Sequence, residues 1–570
     1  MRPSISKLLV ATRGQSARRI LRTAREMGVA TVGVFTEADR DALFVAEAGE
    51  AVALDRVSER GAAGYLDAPA LVEAARRVGA DAVHPGFDRL SEDAGFAWRC
   101  AEAGLTYVGP SPEAIATLGS KLETKALAAE AGVPVLTAEE VDGYPPGKLE
   151  AAAEVLGWPV VVKASAGSIG RALRVVRDGD DLVGAVEAVR REATAAFGDG
   201  TVFLEPWLED ARHIDVQVFA DGAGRIVHLF ERDATVSRHH RPAIVEAPAP
   251  KLAQPLRERL VAAAVAVAEA AGYVGAGTVE FLVSGEQVWF VEMNSRLDVD
   301  HPVSEAILGL DLVEMQVAVA EGRPLPVEAR HCSPSGHAVG VHLCAEDAVA
   351  GSRPQPHSGW LRRLEIDPVA GLRVETGLAS GSKLGVDDAR LATIVASAAT
   401  RMEAIRRLVT ALEELRVNGL RTNRDQLIAA LRHPDFGAGA VDAGFLDRQA
   451  GLSAPRGGAE AVRLHAVAAT LATLAGVTRG PAGSTAFAGP AGEWVEVAYR
   501  LDASGRVTEV AVDGVPLAGF RVGAVTADAV DVEVDGLRRR VAVARDGDVI
   551  DCDSRLGHTE LVLRKVCSEG

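Results

Sequence analysis

Residues 278–301 read TVEFLVSGEQVWFVEMNSRLDVDH, where two short apolar runs flank a Ser-Gly-Glu turn, a pattern that predicts a β-hairpin. Glu280 lies in the first run, and Glu292 and Asn294 end the second. Side chains two positions apart on a strand point to the same face, so the last two aim together and Glu280 can join them from the neighbouring strand. Two carboxylates and an amide oxygen are ligands that Mg²⁺ prefers. The hairpin therefore predicts the metal half of a phosphoryl-transfer site, against the alternative of a plain polar strand end.

The bulk composition narrows the class of protein. The length of 570 residues allows about three or four domains, and 48% hydrophobic residues with only 4% aromatics leave aliphatic side chains and Ala to fill the cores. A net charge of −18 argues against nucleic acid and anionic membranes as partners. The five cysteines form no Cys-x-x-Cys pair, so neither a disulfide framework nor a zinc site is expected. Without a secretory pattern or an apolar run of about 18 residues, the chain is expected in the cytoplasm.

Residues 1–118, the N-terminal region, alternate short apolar runs with amphipathic stretches. This βαβ rhythm predicts an α/β fold with an open parallel sheet covered by helices, a Rossmann-like domain. A ligand of such a sheet lies at the carboxyl ends of its strands. We therefore expect a binding edge near Arg13, Gly14 and the His-Pro-Gly sequence at 84–86.

Residues 119–330, the second region, contain positions suited to a nucleotide. Lys121 lies near a helix start, and Lys163 ends a Val-Val-Val-Lys strand before a loop that contains glycine. Two ammonium groups would neutralise phosphate charge, although a lysine at a strand end more often reaches out to solvent. In the sequence FLEPWL, backbone groups around Glu205 and Leu208 could hold the edge of an adenine.

The rest of the sequence predicts a third region, a linker and a C-terminal region. Residues 331–447 begin with an apolar strand and are predicted to carry helices at 388–415 and 421–432, in an α+β arrangement. Residues 448–458 contain Gly, Ser and Pro and predict a linker. Residues 459–570 predict one helix and then short strands with Asp-Gly turns, which is typical of a small antiparallel barrel.

Motifs spread over the first three regions resemble one known family. They are HPG (84–86), YVGPSPEAI (107–115), KASAG (163–167), RHIDVQV (212–218), EAPAP (246–250), GAGTVEFL (275–282), EMNSR (292–296) and HPVSE (301–305). Over about residues 5–447 the chain resembles the biotin carboxylases among the ATP-grasp ligases. The resemblance implies a Rossmann-like domain, an ATP-grasp domain and an α+β domain in that order. Residues 459–566 resemble the helix-plus-barrel domain of acyl-CoA carboxylase alpha subunits, which in that family docks the carboxyltransferase beta subunit.

The resemblance also implies an activity. In this family ATP phosphorylates bicarbonate, and the carboxyphosphate then carboxylates biotin on a carrier, with Mg²⁺ or Mn²⁺ as the metal. The positions that match the family's ATP contacts are Lys121, Lys163, Ile169, Gly170, Glu205, Trp207, Leu208, His213, His240, Glu280 and Glu292. The positions that match its metal ligands are Glu280, Glu292 and Asn294. Arg296 and Asp300 fall at catalytic positions, Arg296 and Val299 lie on the bicarbonate side, and a homodimer or larger assembly is expected.

Several positions depart from the family pattern on its bicarbonate and biotin side. They are Asp88, Ser237, Pro242, Asp298, Asp300 and His342. Pro242 replaces a Lys that holds bicarbonate, and a neutral ring cannot balance an anion. Asp300 replaces the catalytic Glu and is one methylene shorter, where about 1 Å of misplacement costs on the order of 100-fold in rate. His342 replaces an Arg, and an imidazole is mostly neutral near pH 7.

Three hypotheses about function stay open on these grounds. The first is a biotin carboxylase component that acts on a separate biotin carrier protein, because none of the five methionines precedes a Lys, as biotin attachment requires. The second is a ligase that passes its acyl group to another acceptor such as an amine, favoured by the aspartates among these departures. The third is a non-catalytic nucleotide-binding scaffold. In the first case Arg89 or Arg241 would supply the charge that is missing at Pro242.

Overall fold

The computed structural model describes residues 4–54, 61–167, 172–238, 240–346, 356–385, 389–454, 456–475 and 481–569. Within these ranges the chain forms the predicted α/β architecture followed by an antiparallel β region. Two of the predicted ATP contacts, Ile169 and Gly170, lie outside the described residues. None of the described helices is both long and apolar enough to cross a membrane.

The N-terminal region is built on a parallel sheet. Its strands are β1 (Lys7–Val10), β2 (Ala30–Phe35), β3 (Glu50–Ala53), β4 (Ala82–His84) and β5 (Thr106–Tyr107), in the order β3-β2-β1-β4-β5. Its helices are α1 (Gly14–Glu26), α2 (Leu43–Glu47), α3 (Ala68–Arg77), α4 (Ala94–Glu102) and α5 (Pro112–Leu118). Leu8, Leu9 and Val10 of β1 are fully buried, as expected for a sheet that helices cover on both faces. The predicted βαβ fold is confirmed.

A small antiparallel sheet opens the second region. Its elements are α6 (Lys121–Glu130), β6 (Glu139–Glu140), α7 (Pro146–Leu156), β7 (Val160–Ala164), β8 (Leu173–Val176), α8 (Leu182–Phe197) and β9 (Val202–Pro206). The strand order is β6-β9-β7-β8. Apolar side chains of β7 and β9 pack with those of α7 and α8 in one core. Because β7 and β9 pair antiparallel, Lys163 of β7 lies close to Glu205 of β9.

The second and third regions share one large sheet. The second region adds β10 (Arg212–Ala220), β11 (Ile226–Arg238), β12 (Arg241–Ala247), α9 (Gln254–Ala270), β13 (Gly275–Ser284), β14 (Gln287–Asn294), α10 (His301–Leu308), α11 (Leu312–Ala320) and α12 (Val327–Arg330). The third region adds β15 (His337–Cys344), β16 (Gly359–Leu361), β17 (Arg363–Glu365), β18 (Leu372–Glu375), β19 (Ser382–Leu384), β20 (Arg390–Ala398), α13 (Arg401–Glu414), β21 (Arg416–Asn418), α14 (Arg424–Arg432), α15 (Pro434–Gly437) and α16 (Phe445–Arg448). The sheet order β14-β13-β10-β11-β12-β15-β20-β18 joins the two regions at the pairing of β12 with β15.

One helix prediction is wrong. Residues 390–398 form strand β20, whereas a helix was predicted over 388–415, and α13 begins only at Arg401. The strand is buried along most of its length, and a continuous apolar run of this kind cannot be told from a buried helix by its hydrophobicity. Thr400 marks the true helix start, because its side chain accepts a hydrogen bond from the backbone N–H of Glu403 in a capping box.

The C-terminal region wraps antiparallel strands around one helix, α17 (Gly458–Leu474), as predicted. Its strands are β22 (Ala482–Ala488), β23 (Trp494–Leu501), β24 (Val507–Val512), β25 (Val515–Pro516), β26 (Arg521–Val525), β27 (Ala529–Val534), β28 (Leu537–Asp546), β29 (Val549–Ser554) and β30 (Gly557–Glu569). They run in the order β25-β24-β23-β22-β30-β29-β28-β27-β26. Apolar residues of α17 and of the strands form a single hydrophobic core.

A buried ionic cluster joins the C-terminal region to the third region. Asp553 of β29 accepts hydrogen bonds from Arg424 Nη1 at 2.8 Å and from Asn418 Nδ2 at 3.0 Å. His558 Nδ1 lies 3.1 Å from the same carboxylate. Burial would raise the pKa of Asp553, but His558 and Arg424 outweigh burial and lower it. Charge as well as packing therefore holds the C-terminal region against the third region.

Candidate active site

The predicted metal ligands converge at the end of the β13–β14 hairpin. The strands pair antiparallel with Glu280 opposite Glu292 and Thr278 opposite Asn294. Asn294 Nδ2 donates a hydrogen bond to Glu280 Oε1 at 2.5 Å. The hairpin register therefore brings both carboxylates and the amide to one place, as the sequence spacing predicts.

The two carboxylates differ in their electrostatic surroundings. Burial raises the pKa of Glu280, and the nearby negative charge of Glu292 raises it further. Burial would also raise the pKa of Glu292, but Lys121, together with Lys163 and His213, outweighs burial and lowers it. Two partly buried carboxylates that repel each other form a site that a divalent cation would stabilise. This donor set of two carboxylates and an amide oxygen fits Mg²⁺.

His213 lies beside this acidic pair. Its Nε2 is 3.0 Å from Glu280 Oε2 and 3.2 Å from Asp215 Oδ1. Burial would lower the pKa of His213, but the two carboxylates outweigh burial and raise the pKa well above its ordinary value. Sequence reasoning missed Asp215, although the alternation in RHIDVQV places it on the same strand face as His213. These three side chains are close enough together to share a metal ion.

Three lysines surround the predicted phosphate side. The ammonium group of Lys121 lies 2.5 Å from Glu292 Oε2 and also contacts the backbone carbonyl of Gly167. Lys163 Nζ lies 2.7 Å from Glu205 Oε2, and Lys125 contacts the other carboxylate oxygen of Glu205. The structure thus places both predicted lysines beside acidic groups of the same site.

Lys125 is a site residue that sequence reasoning missed. It is one of only eight lysines and follows Lys121 by one helical turn, which are the signals that could have found it. Burial and the neighbouring Lys163 together lower the pKa of Lys125, against the attraction of Glu205. Burial would raise the pKa of Glu205, but the two ammonium groups outweigh burial and lower it.

The predicted adenine side lies after β9. The backbone N–H of Trp207 donates to the carbonyl oxygen of Pro159 at 2.9 Å, which fixes the segment that leads to Leu208. The rings of Trp207 and His240 meet edge to face with centroids 5.7 Å apart. His240 is exposed and has a positive φ of 60° at the β11–β12 turn. The structure therefore brings two predicted ATP contacts, distant in sequence, into direct contact.

Arg296 is buried in a network of charges. Its Nε lies 2.7 Å from Glu92 Oε1 and its Nη1 lies 3.3 Å from Asp298 Oδ1. Burial would lower the pKa of Arg296, but Glu92 and Asp298 outweigh burial and raise it. The fully buried Arg232 lies 3.7 Å from Asp298 Oδ2 and 3.2 Å from Asp215. Asp298, a departure from the family, is thus faced by two guanidinium groups that sequence reasoning did not pair with it.

Asp300 and His342, two further departures, contact each other. Asp300 Oδ1 lies 2.6 Å from His342 Nε2, and both side chains are buried. Burial would raise the pKa of Asp300, but His342 and Arg232 outweigh burial and lower it to about 2. The two replacements therefore form one unit, which the sequence distance of 42 residues between them concealed.

The remaining departures, and Arg89 next to one of them, have contacts outside the network of Arg296 and Asp300. Pro242 and Ser237 are opposite each other in the β11–β12 ladder. Asp88 Oδ2 accepts a hydrogen bond from Thr12 Oγ1 at 2.9 Å. Arg89 donates to the carbonyl oxygen of Ala196 at 2.6 Å and so links the N-terminal region to α8.

Val299, on the predicted bicarbonate side, is held by a hydrogen bond from its backbone to the side chain before it. Its N–H donates to Asp298 Oδ1 at 2.6 Å. Asp298 thereby fixes the chain just before Asp300, so the aspartate has a structural role in addition to its charge.

The sequence matches three known families in succession. Residues 4–115 match "Biotin carboxylase, N-terminal domain", residues 120–328 match "Carbamoyl-phosphate synthase L chain, ATP binding domain", and residues 341–448 match "Biotin carboxylase C-terminal domain". The three matches follow the order that the motifs imply.

Relatives and solved structures agree with these matches. The chain is 40% identical over 442 residues to the biotin carboxylase of Halalkalibacterium halodurans, covering 77% of this chain and 97% of that protein. It is 42% identical over 445 residues to the mitochondrial methylcrotonoyl-CoA carboxylase subunit alpha of Dictyostelium discoideum, but this spans only 63% of that protein and 78% of this chain. The biotin carboxylase domain of Hydrogenobacter thermophilus 2-oxoglutarate carboxylase, solved with MgADP, ADP and bicarbonate, superposes with a TM-score of 0.76 at 32% identity over 79% of this chain and 99% of that one.

The fold and the site define an ATP-dependent ligase. The chain belongs to the biotin carboxylase family, which confirms the resemblance drawn from its motifs. The Halalkalibacterium halodurans protein and biotin carboxylase 2 of Bacillus subtilis, which is 40% identical over 450 residues (77% of this chain and 99% of that protein), support ATP-dependent biotin carboxylation as the reaction of this chain.

Proposed function

We propose that this chain is the biotin carboxylase component of an acyl-CoA carboxylase, which uses ATP to carboxylate biotin on a separate carrier protein. The observation that carries the proposal is the 2.5 Å contact between Lys121 and Glu292. It gathers a cation suited to phosphate and a carboxylate suited to a metal at one point, where phosphoryl transfer requires both. The named biotin carboxylase relatives supply the reaction class.

The nucleotide half of the site would consist of metal-binding oxygens and two ammonium groups. Glu280, Glu292 and Asn294 would hold Mg²⁺ or Mn²⁺ at the end of the hairpin. The bound ion supplies neutralisation of charge on the β- and γ-phosphate oxygens. Lys121 and Lys163 reach the same place from α6 and β7 and would neutralise the remaining phosphate charge.

The base of the nucleotide would lie beside the segment after β9. Backbone groups from Glu205 to Leu208 would hold the adenine edge, and the contact between the Trp207 and His240 rings would close the pocket. Adenine is flat and apolar on its faces, so an aromatic wall with a few backbone polar groups suits it. His213, in contact with Glu280, would orient the carboxylate of Glu280 toward the metal.

The bicarbonate half would be carried by Arg296 and Asp300. Arg296 is held by Glu92 and would bind the bicarbonate anion. Asp300 is ionised near neutrality, since its pKa is lowered to about 2, and it would accept the bicarbonate proton. The freed oxygen would then bond to the γ-phosphorus while the bond to ADP breaks. A carboxylate this acidic is a weak base, so we expect slow bicarbonate activation.

The assembly is also part of the proposal. We propose a cytoplasmic homodimer or larger complex, in which the C-terminal region docks a carboxyltransferase beta subunit. The name of the longer relative, a subunit alpha, supports the presence of further subunits. The division of the chain at residues 118, 330, 447 and 458 belongs to the same proposal.

A second candidate is a ligase with an acceptor other than biotin. The position of Pro242 supports it, because this ring offers no charge to bicarbonate. The acidic character of Asp298 supports it less than the sequence alone suggests, since Arg296 and Arg232 both face that carboxylate. A non-catalytic scaffold is the least supported of the three hypotheses. The lysines and carboxylates that phosphoryl transfer requires lie close together in the nucleotide half.

The test is the rate of ADP release by the purified chain with Mg-ATP. We expect release to depend on bicarbonate and to rise further when free biotin is added. ATP binding without any bicarbonate-dependent release would favour the scaffold. Release only with added amines or other acids would favour the second candidate. The variant Lys163→Met, assayed in parallel, measures the background.

A further inference from the structure

A line of hydrogen-bonding side chains runs from α1 to the carboxylate of Asp300. Gln15 Nε2 donates to Thr393 Oγ1 at 3.3 Å. The same hydroxyl lies 3.1 Å from His342 Nδ1, and the other ring nitrogen of His342 lies 2.6 Å from Asp300 Oδ1. Asp300, His342 and Thr393 expose only 4%, 5% and 3% of their surface. Because water has so little access, these partners decide where the protons lie.

The donors give this line a direction. An amide N–H can only donate, so Thr393 Oγ1 accepts from Gln15. The ionised carboxylate of Asp300 can only accept, so the ring hydrogen of His342 lies on Nε2, and in the neutral ring Nδ1 then accepts from the hydroxyl of Thr393. The imidazole is thereby held in one tautomer and one ring orientation, as the second nitrogen of a histidine is commonly fixed by its own partner.

The backbone fixes the middle of the line and its Gln15 end. His342 and Thr393, in the middle, are opposite each other on β15 and β20. At the Gln15 end, a Cβ added at Gly377 would lie 2.6 Å from Gly14 Cα and 2.7 Å from Gln15 N. The start of α1 therefore fits closely against the third region, and Gln15 has little freedom to move away from Thr393.

Charged groups surround the line on several elements. They are Arg232 on β11, Asp298 before α10, Arg390 on β20 and Glu375 on β18. Arg232 and Arg390 both favour the ionised form of Asp300. Glu375, opposite Thr393 in the sheet, is engaged by Arg22 and Arg373. Among the described contacts of this carboxylate, His342 is the partner within hydrogen-bonding distance, so the orientation of its ring matters most.

We propose that Thr393 and Gln15 are positioning residues for Asp300, acting through His342. The proposal rests on the proposed function, in which Asp300 accepts the proton of bicarbonate. The fixed imidazole of His342 hydrogen-bonds to Oδ1 of Asp300 and leaves Oδ2 to act as the base. Without the Thr393 hydroxyl the ring can flip or rotate, and the short side chain of Asp300 loses its position.

Kinetics provide the first test. In Thr393→Val we expect bicarbonate-dependent kcat to fall on the order of 10- to 100-fold, with KM for ATP unchanged. Thr393→Ser keeps the hydroxyl and should restore most of the rate, and Gln15→Leu should show a smaller loss of the same kind.

The matched control is Thr31→Val, which removes another buried strand hydroxyl, one that accepts from the backbone N–H of Gly49. It should leave kcat unchanged. Equal effects in Thr31→Val and Thr393→Val, or a Thr393→Val enzyme with wild-type kcat, would overturn the proposal.

A second readout does not depend on turnover. Histidine-selective ¹⁵N NMR, with the His342 signals assigned from the loss of peaks in His342→Gln, reports which ring nitrogen carries the hydrogen. We expect the Nε2–H tautomer in the wild type and in Thr393→Ser, and a mixture in Thr393→Val. An imidazolium, an Nδ1–H tautomer or an unchanged Thr393→Val spectrum would overturn the positioning role. Wild-type chain without bicarbonate-dependent ADP release would instead refute the proposed function while leaving this measurement valid.

Discussion

The ammonium nitrogen of Lys121 lies 2.5 Å from Oε2 of Glu292, which joins the first residue of α6 to the end of β14. Glu292→Gln keeps the shape of this contact but removes the charge, so we expect Mg-ATP affinity to weaken by on the order of 10- to 100-fold. Calorimetric titration with Mg-ATP measures the loss. Glu286→Gln, at an exposed position in the turn of the same hairpin, is the control. Equal affinities of the two variants would contradict the assigned metal site.

A second prediction concerns Lys125. Lys125→Met leaves Glu205 with Lys163 as its one remaining ammonium partner among the described contacts. Lys163 is then drawn more strongly to Glu205 and should bind phosphate less well, so KM for ATP should rise several-fold. Loss of the buried contact should also lower the free energy of unfolding by about 1.5–3 kcal/mol. Steady-state kinetics and denaturant unfolding measure the two effects.

Lys148→Met is the control for this prediction, because Lys148 is exposed on α7. It should leave the KM for ATP unchanged, and loss of its contact with the Tyr144 ring should lower the unfolding free energy by no more than about 1 kcal/mol. A Lys125→Met enzyme with lower stability but unaltered KM would restrict Lys125 to a structural role.

Pro242 marks the position where the family resemblance places a cation for bicarbonate. Pro242→Lys should lower the KM for bicarbonate by about 10- to 100-fold, the range expected for one added hydrogen bond to a charged group. ADP release measured against bicarbonate concentration tests this. Pro516→Lys adds the same charge at an exposed position on β25 and should have no effect. An unchanged bicarbonate KM in Pro242→Lys would show that another group already supplies the charge.

The contact between the third and C-terminal regions should depend on pH through His558. Burial would lower the pKa of His558, but Asp553 outweighs burial and raises it. A histidine whose pKa is raised on folding stabilises the folded state fully at pH values below its unfolded pKa of about 6.5. This stabilisation is lost as the pH rises through the folded pKa. Burial also raises the pKa of the neighbouring Asp551 to about 6, so the comparison requires a His558 variant.

Thermal unfolding of the wild type and His558→Gln between pH 5 and pH 9 measures this contribution. We expect the wild type to unfold at the higher temperature at pH 5, and the difference to shrink toward pH 9. A difference that stays constant over this range would contradict the ionic role of His558.

The fold could be read largely from the sequence because its motifs are local. The β13–β14 hairpin brings Glu280 opposite Glu292 by strand pairing alone, and the strand period places Asn294 on the same face. The βαβ rhythm of the N-terminal region is likewise a pattern of neighbouring residues. Strand β20 was mistaken for helix because burial along most of the strand removes the alternation that would have identified it.

The rest of the site depends on contacts between distant elements. Lys125 meets Glu205 only because α6 lies against the small antiparallel sheet. Arg232 was missed because a single buried arginine in a strand has no periodic signal, and its partners come from other strands and loops. The contact between Asp300 and His342 needs the packing of α10 against β15. The family resemblance therefore gave these two departures as separate replacements, whereas the structure shows them paired.

The most direct test of the central claim is the transfer of labelled carboxylate. The purified chain is incubated with Mg-ATP, ¹⁴C-bicarbonate and free biotin, and acid-labile label on biotin is counted. We predict ATP-dependent labelling that is lost in Glu292→Gln and kept in Glu286→Gln. ADP release without any label on biotin would contradict biotin carboxylation as the function of this chain.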